Sequence, residues 1–351
     1  MEESPQQDVA DFFFWEDEEA LIKECAETTC KNLTEIAETK KPYNVKRIFG
    51  AFTMDVIATT AFGTKLDSHH DPRQPLREER SENLQPGIPM DFSTHLLRKI
   101  YSKVSPDYLA FFKDITEKLI KERKENPDVK RYDFLQMLLD ELNEEEMNDP
   151  TDPSFKGLTK DEIAAQSILF FIAGYETTAS TLSHCVYMLA LNPECQDRLA
   201  AEVDSALSAE DVTLDYDTVK TLPYLDAVIS ETLRLLPPGT RMERQAAKNY
   251  KLKDTETEIP KDMIVQFPVY AMHRDPEFFP DPEKFDPERF LPENRDNICP
   301  FTYLPFGAGP RNCIAERFAL LEAKLCLAKV IQKLQFHRVP ETKVFIFSFI
   351  S

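Results

Sequence analysis

At 351 residues the chain is long enough for two average domains or one large one, and 42% apolar residues supply a substantial core. A net charge of −20 excludes nucleic acid as a partner and excludes attachment to anionic lipid by charge alone. The seven cysteines and six histidines form neither a CxxC pair nor a zinc-like spacing, so reduced thiols on a cytosolic face are expected.

Met1-Glu2-Glu3 lacks the basic start of a signal peptide, and no run approaches the roughly twenty apolar residues of a membrane span. Residues 1–18 form an acidic, unassigned leader around Phe12-Phe13-Phe14-Trp15. Helical spacing then runs from Glu19 to Thr39 through Leu21, Ile22, Cys25, Leu33 and Ile36, and a second helix covers Val45–Phe62. Lys65–Pro89 is polar and proline-rich and reads as loop or weak helix. Helical patterns return over His95–Lys124 and Asp133–Asn143, followed by an acidic connector, Glu144–Lys156.

Thr159-Lys160-Asp161-Glu162 is a capping box that opens the longest helix, which continues to Leu191. Its apolar character nearly all round predicts a helix buried through the middle of the molecule. Asn192-Pro193 ends it and starts the next, with proline at the first position. A further helix is expected over Tyr216–Leu236, stopped by Pro237-Pro238. Short strands follow at Tyr250–Leu252 and Met263–Phe267, then a proline-rich meander from Asp275 to Pro300 and a last helix from Cys313 to Leu334. The expected fold class is mainly α with a minor β-sheet.

Three constellations carry chemistry. In Phe306-Gly307-Ala308-Gly309-Pro310-Arg311-Asn312-Cys313-Ile314-Ala315, two glycines let a loop turn tightly ahead of an apolar helix and aim N–H groups at one sulfur. The helix start and Arg311 both favour thiolate, and Phe306 is available to cover a flat partner, an arrangement that suits an axial ligand to haem iron. A free cysteine taken alone more often packs as a small hydrophobe. In Ala173-Gly174-Tyr175-Glu176-Thr177-Thr178, a glycine inside the buried helix implies a close approach to the backbone, and Ala173 with Gly174 leaves a notch. The Thr177 hydroxyl can bond back to the Ala173 carbonyl and open the helix, so that Glu176 and Thr177 form an acid–alcohol pair able to relay protons. A helical threonine bonding its own backbone is the plainer reading. Glu231 and Arg234, at i and i+3 on an apolar helix, form an ion pair that needs further partners if buried, and Arg289 is the candidate third member. Gly307–Asn312 lacks the third glycine of a dinucleotide loop, so reducing equivalents are expected from another protein.

Together these motifs resemble cytochrome P-450, the haem-thiolate monooxygenases: the cysteine loop, Glu231-Thr232-Leu233-Arg234 as ExxR, Ala173–Thr177 as AGxET, and Pro287-Glu288-Arg289-Phe290 as the meander motif. The wording Ala173–Thr178 and Tyr270–Pro276 is most similar to the microsomal drug-metabolising family and its relative thromboxane synthase. The resemblance covers roughly Leu21 to Phe345, so that 19–351 reads as a partial catalytic domain, truncated at the N-terminus and short of the family's final hairpin.

The resemblance implies haem b, with Cys313 as iron ligand, Arg311 and Arg244 on its propionates, Phe306 packed below the ring and Ala173 beside it. Glu176 and Thr177 would deliver protons during O₂ activation; Glu231, Arg234 and Arg289 would be structural; Phe170, Ala173, Pro238, Gly239 and Thr240 would line the substrate cavity. It further implies hydroxylation of a lipophilic xenobiotic or steroid-like substrate. NADPH would act indirectly through a flavoprotein reductase, with cytochrome b5 as a further partner, on the cytosolic face of the endoplasmic-reticulum membrane. The basic stretch Arg241–Lys253 is a candidate reductase contact or an ordinary solvated face. Departures from the pattern are the absence of Trp-x-x-x-Arg, a shorter and more polar 65–109 region, and Ala315 in place of glycine after Cys-Ile. Two alternatives stand beside the monooxygenase: a lipid endoperoxide isomerase of thromboxane-synthase type, and a non-catalytic family member unable to retain haem.

Overall fold

The computed structural model describes residues 16–70, 106–126, 128–129, 131, 133–140, 158–208, 213–340 and 342. The expectations for 1–15, 71–105 and 141–157 lie outside them. Helix α1 (Glu16–Glu38) buries Ile22, Ala26, Cys30 and Leu33; of the expected stripe, Ile22 and Leu33 are fully buried, whereas Leu21, Cys25 and Ile36 are half-buried. Helix α2 (Val45–Thr60) is capped by Asn44, whose side chain accepts the Lys46 N–H, and is buried at almost every position from Ile48 to Ala58. Helices α3 (Pro106–Glu125) and α4 (Phe134–Asp140) follow.

Helix α5 (Lys160–Leu191) starts at the expected capping box, with the Thr159 N–H donating to Glu162 at 2.8 Å and the Glu162 N–H donating to the Thr159 hydroxyl at 3.2 Å. It packs on α2, α3, α4 and later helices, and is the axis of the fold. In its N-terminal half, however, burial is one-sided: Ile163, Ser167 and Phe171 are buried, whereas Leu169 is 39% exposed and Phe170, Ala173, Glu176 and Thr177 are half-buried. The expectation of burial along its whole length is therefore corrected. Hydrophobicity all round did not distinguish a face covered by neighbouring helices from one left accessible.

Helix α6 (Pro193–Ala206) begins with proline as expected. The single helix expected over 216–236 is two, α7 (Tyr216–Lys220) and α8 (Pro223–Leu235). Pro223 has no N–H to continue α7 and suits the first position of α8. Glu202 of α6 completes the start of α8 by accepting the N–H groups of Tyr224 and Leu225, both at 2.8 Å. The strands are β1 (Met242–Gln245), β2 (Tyr250–Lys251), β3 (Glu258–Ile259) and β4 (Ile264–Phe267). They pair antiparallel as β1 with β4, in register Met242 to Phe267, and β2 with β3. β1 escapes a hydrophobicity reading because Glu243 and Arg244 break any apolar alternation, and β3 because it is two residues long.

Helix α9 (Val269–Met272), a 3₁₀ turn (Pro287–Phe290) and helix α10 (Pro292–Arg295) carry the meander to the last helix, α11 (Glu316–Lys333). α11 packs on α1, α5, α6 and α8, closing the core. It starts at Glu316, so Cys313 lies in the loop ahead of it. Among the described residues no helix is long and apolar enough to cross a membrane.

Candidate functional site

The cysteine loop is shaped by its backbone. The Gly307 N–H reaches Leu304 O at 3.2 Å, the Asn312 N–H reaches Gly309 O at 3.0 Å, and the Cys313 N–H returns to Phe306 O at 2.8 Å. Two left-handed residues, Gly307 at φ +79° and Gly309 at φ +78°, make this path possible. A Cβ at Gly307 would come 3.0 Å from the Met242 sulfur on β1, whereas at Gly309 it would meet nothing within 4 Å. At Gly309 the requirement is therefore the backbone angle alone, and the outer face of the loop is open. Cys313 is exposed.

The electrostatics of the sulfur differ from expectation. The surrounding protein raises the Cys313 thiol, the Ala315 N–H bonded to it lowers it, and the Glu316 carboxylate raises it further. Arg311, expected to favour thiolate, is not among the causes. The start of α11 acts through one N–H but also brings an acid three residues on. The loop alone therefore keeps a thiol, and a Lewis-acidic cation on the sulfur is what would deprotonate it outright.

Arg311 and Arg244 lie at the rim of this loop. The Arg244 guanidinium, on β1, donates to the Arg311 carbonyl at 3.3 Å and to the Glu243 carbonyl at 2.8 Å. Within the basic stretch 241–253, Arg244 thus turns toward the cysteine loop. Phe306 is half-buried and packs against the core. The structure therefore brings Cys313, Phe306, Arg311 and Arg244 together.

Behind the loop lies a second, fully buried cluster. Arg234 donates to Glu231 in bidentate fashion, Nε to Oε2 at 2.7 Å and Nη2 to Oε1 at 2.8 Å, and both side chains are 0% exposed. Arg234 also donates to the carbonyls of His273 at 2.7 Å and Lys284 at 3.1 Å. The Asp286 N–H adds a bond to Glu231 at 2.8 Å, and Arg289 Nε stands 3.6 Å from the same oxygen, the expected third member. Burial pushes the Glu231 carboxyl up, and Arg234, the Asp286 N–H and Arg289 oppose it. These bonds supply the further partners that a buried pair requires.

His273 was not singled out from the sequence, yet it joins the two clusters. The Leu304 N–H donates to its Nε2 at 2.8 Å, so Nδ1 carries the proton and donates to the Arg234 carbonyl at 3.1 Å. Burial holds this histidine down at about 4. Its ring stacks on Tyr303 at 5.3 Å, and the Tyr303 hydroxyl donates to Ser230 O at 3.0 Å. The segment leading into the cysteine loop is thereby bolted to α8. The only sequence signal was a histidine placed among apolar residues beside an Arg-Asp-Pro turn.

On α5, the Thr177 hydroxyl donates to Ala173 O at 2.7 Å, the bond expected from the sequence. Glu176 accepts an ion pair from Lys46 at the start of α2 and lies 3.4 Å from the Ser180 hydroxyl. Both groups bond within α5 or to α2, and neither bonds to the cysteine loop among the described residues. The close approach at Gly174 is also different from that expected. A Cβ there would stand 2.9 Å from Cδ1 of Ile57, so the glycine admits a neighbouring helix rather than forming a notch for a ligand. Phe170 stacks on Phe134 of α4 with centroids 3.6 Å apart. Pro238, Gly239 and Thr240 form the link from α8 to β1, where the Thr240 carbonyl accepts the Tyr270 N–H at 2.9 Å and a Cβ at Gly239 would meet nothing within 4 Å.

A sequence model of the cytochrome P450 family matches residues 11–347. Among curated proteins, Cytochrome P450 3A2 of Rattus norvegicus is 41% identical over 334 residues, covering 92% of this chain and 65% of the relative. Cytochrome P450 3A6 of Oryctolagus cuniculus is 40% identical over 334 residues, and Cytochrome P450 3A7 of Homo sapiens 40% over 335, with the same shares covered. The chain thus spans 65% of the length of these relatives.

Proposed function

The chain belongs to the cytochrome P450 family, and from that membership we propose that it is part of a haem-thiolate monooxygenase acting on lipophilic molecules, with 19–351 as the catalytic portion. The observation that carries this reading is the exposed Cys313 thiol on a loop with two left-handed glycines, open on its outer face at Gly309. That donor set fits haem: one sulfur, a flat aromatic at Phe306, and two guanidinium groups, Arg244 and Arg311, suited to a pair of carboxylates. When bound, haem would supply the redox iron at which O₂ is activated for insertion of one oxygen atom into a C–H bond.

The protein's own residues would act around that chemistry. Cys313 would hold the iron, with the Ala315 N–H tempering the charge on sulfur. Thr177, whose hydroxyl holds the Ala173 carbonyl, would orient a water at the loosened turn of α5, and Glu176 would exchange protons with it. The ion pair to Lys46 gives Glu176 a solvent-facing partner. Glu231, Arg234, Arg289 and His273 would keep the loop in place, and Phe170, Ala173, Pro238, Gly239 and Thr240 would contact substrate.

Electrons would come from NADPH through a flavoprotein reductase, with cytochrome b5 as a second donor, at the cytosolic face of the endoplasmic reticulum. A steroid or foreign compound is the substrate class. The test is haem uptake by the 351-residue chain followed by reduction under CO. A strongly red-shifted Soret band, lost in Cys313→Ala, supports the reading, as does reductase-dependent hydroxylation of a steroid. Failure to take up haem would favour the non-catalytic alternative, and turnover of a lipid endoperoxide without reductase would favour the isomerase.

A further inference from the structure

A cleft between α1 and α2 shares no residue with the site described above. It encloses about 250 Å³, less than the roughly 300–1,000 Å³ of sites that take drug-sized ligands, so its occupant must be small. Ile36 of α1 with Ile48 and Ala51 of α2 give it an apolar lining. One wall is fixed from behind. It is formed by Ser68 and His69 in the turn that follows α2. The Ser68 N–H donates to the Asp55 carboxylate at 3.0 Å, and His69 Nε2 pairs with the Thr29 hydroxyl at 3.2 Å. Asp55 is 7% exposed and Thr29 0%. A buried carboxyl and a buried hydroxyl are costly unless bonded, and both of these bonds hold the same wall.

Two charged side chains lining the cleft have no partner. Glu35 of α1 and Arg47 of α2 are exposed, and among the described residues neither makes an ion pair, with the other or with any third group. Lys46, beside Arg47 in the chain, is by contrast committed to Glu176. Burial holds His69 down at about 4, so it is neutral at pH 7 and leaves Arg47 as the one cation in the lining. Tyr43, 42% exposed in the link between the helices, adds an aromatic ring. We propose that this cleft binds a small zwitterion carrying an apolar group, the chemistry of an aromatic α-amino acid. Arg47 takes the carboxylate, for which a guanidinium fork is suited, and Glu35 takes the ammonium. Ile36, Ile48 and Tyr43 cover the apolar body. A carboxylate lacking the ammonium would bring a second anion beside Glu35 with nothing to offset it, and an amine lacking the carboxylate would leave Arg47 unpaired. Solvated surface charge accounts for an exposed arginine or glutamate singly, but not for an apolar cleft whose wall is held by buried polar bonds.

Ligand-observed NMR titration of the full 351-residue chain with L-phenylalanine tests the cleft. Binding should saturate with a Kd on the order of 1 mM, the affinity expected of so small a ligand at ordinary efficiency. Three analogues each remove one feature: glycine the apolar group, 3-phenylpropanoate the ammonium and phenethylamine the carboxylate. Each should bind at least about tenfold more weakly than phenylalanine, the order expected for one lost charged or apolar contact. Arg47→Gln and Glu35→Gln change exposed side chains and should leave the fold intact while each weakens phenylalanine by about tenfold. Far-UV circular dichroism of the variants checks that the helices are retained. The proposal is overturned if phenylalanine shows no saturation up to about ten times the expected Kd, if either variant binds it like the parent, or if 3-phenylpropanoate binds as tightly as phenylalanine. The proposal goes beyond the haem reading and does not depend on it. Neither the cleft nor the probe involves haem, so a failure of that reading is seen separately in the CO spectrum.

Discussion

The reassignment of Gly174 can be tested quantitatively. Alanine at this mid-helix position gains about 1 kcal/mol in helix propensity. Its Cβ would, however, lie 2.9 Å from Cδ1 and 3.2 Å from Cγ1 of Ile57, which is 4% exposed on α2 and has little room to move. Overpacking of this kind costs about 1–3 kcal/mol, so Gly174→Ala should be destabilising by up to about 2 kcal/mol net. Ile57→Val removes Cδ1 and alone should cost about 1 kcal/mol. In the double variant the new methyl occupies the space that Cδ1 left, and the two changes should couple favourably by about 1–2 kcal/mol. Urea unfolding of the four proteins gives the cycle directly. An additive cycle would refute the contact argument. Loss of ligand binding in Gly174→Ala at unchanged stability would restore the idea of a notch for a ligand.

Other expectations follow from the same geometry. Arg234→Met leaves Glu231 buried without its bidentate partner and should cost about 3–5 kcal/mol in denaturant unfolding; Arg234→Lys should rescue little, because one ammonium cannot replace the fork. His273 stays neutral in the fold down to about 4 while the unfolded chain protonates near 6.5, so stability should fall as pH drops between these values, by about 3 kcal/mol for this group. His273→Gln, which can keep one donor and one acceptor, should flatten that part of the stability profile; an unchanged slope would contradict the assignment. Thr177→Ala should leave haem content unchanged and divert electrons from product to peroxide, and unchanged coupling would remove Thr177 from proton delivery.

Much of the fold was legible where one residue type had one physical consequence. The Thr159–Glu162 capping box and Pro193 at a helix start are local signals, and each lies where the sequence places it; of the α1 stripe, Ile22 and Leu33 are fully buried and Leu21, Cys25 and Ile36 partly so. The ion pair of Glu231 and Arg234 was legible from spacing, and Arg289 from its motif. What escaped depends on partners distant in sequence. Gly174 announced a close approach but not that Ile57, 117 positions earlier, makes it. His273 gave no local hint that Leu304 and Arg234 would fix its tautomer. The break at Pro223 was passed over because the apolar spacing of 216–236 continues across it. At Cys313, counting Arg311 as a neighbour in sequence overstated its influence, since its carbonyl, rather than its charge, is what the structure ties down, through Arg244.

Iron K-edge X-ray absorption on the haem-loaded chain asks most directly whether Cys313 holds the metal. A sulfur scatterer in the iron's coordination sphere is predicted for the parent and for Cys299→Ala, which removes the other exposed thiol, and should be missing in Cys313→Ala. Nitrogen and oxygen alone around the parent's iron, or sulfur retained in Cys313→Ala, would contradict the account.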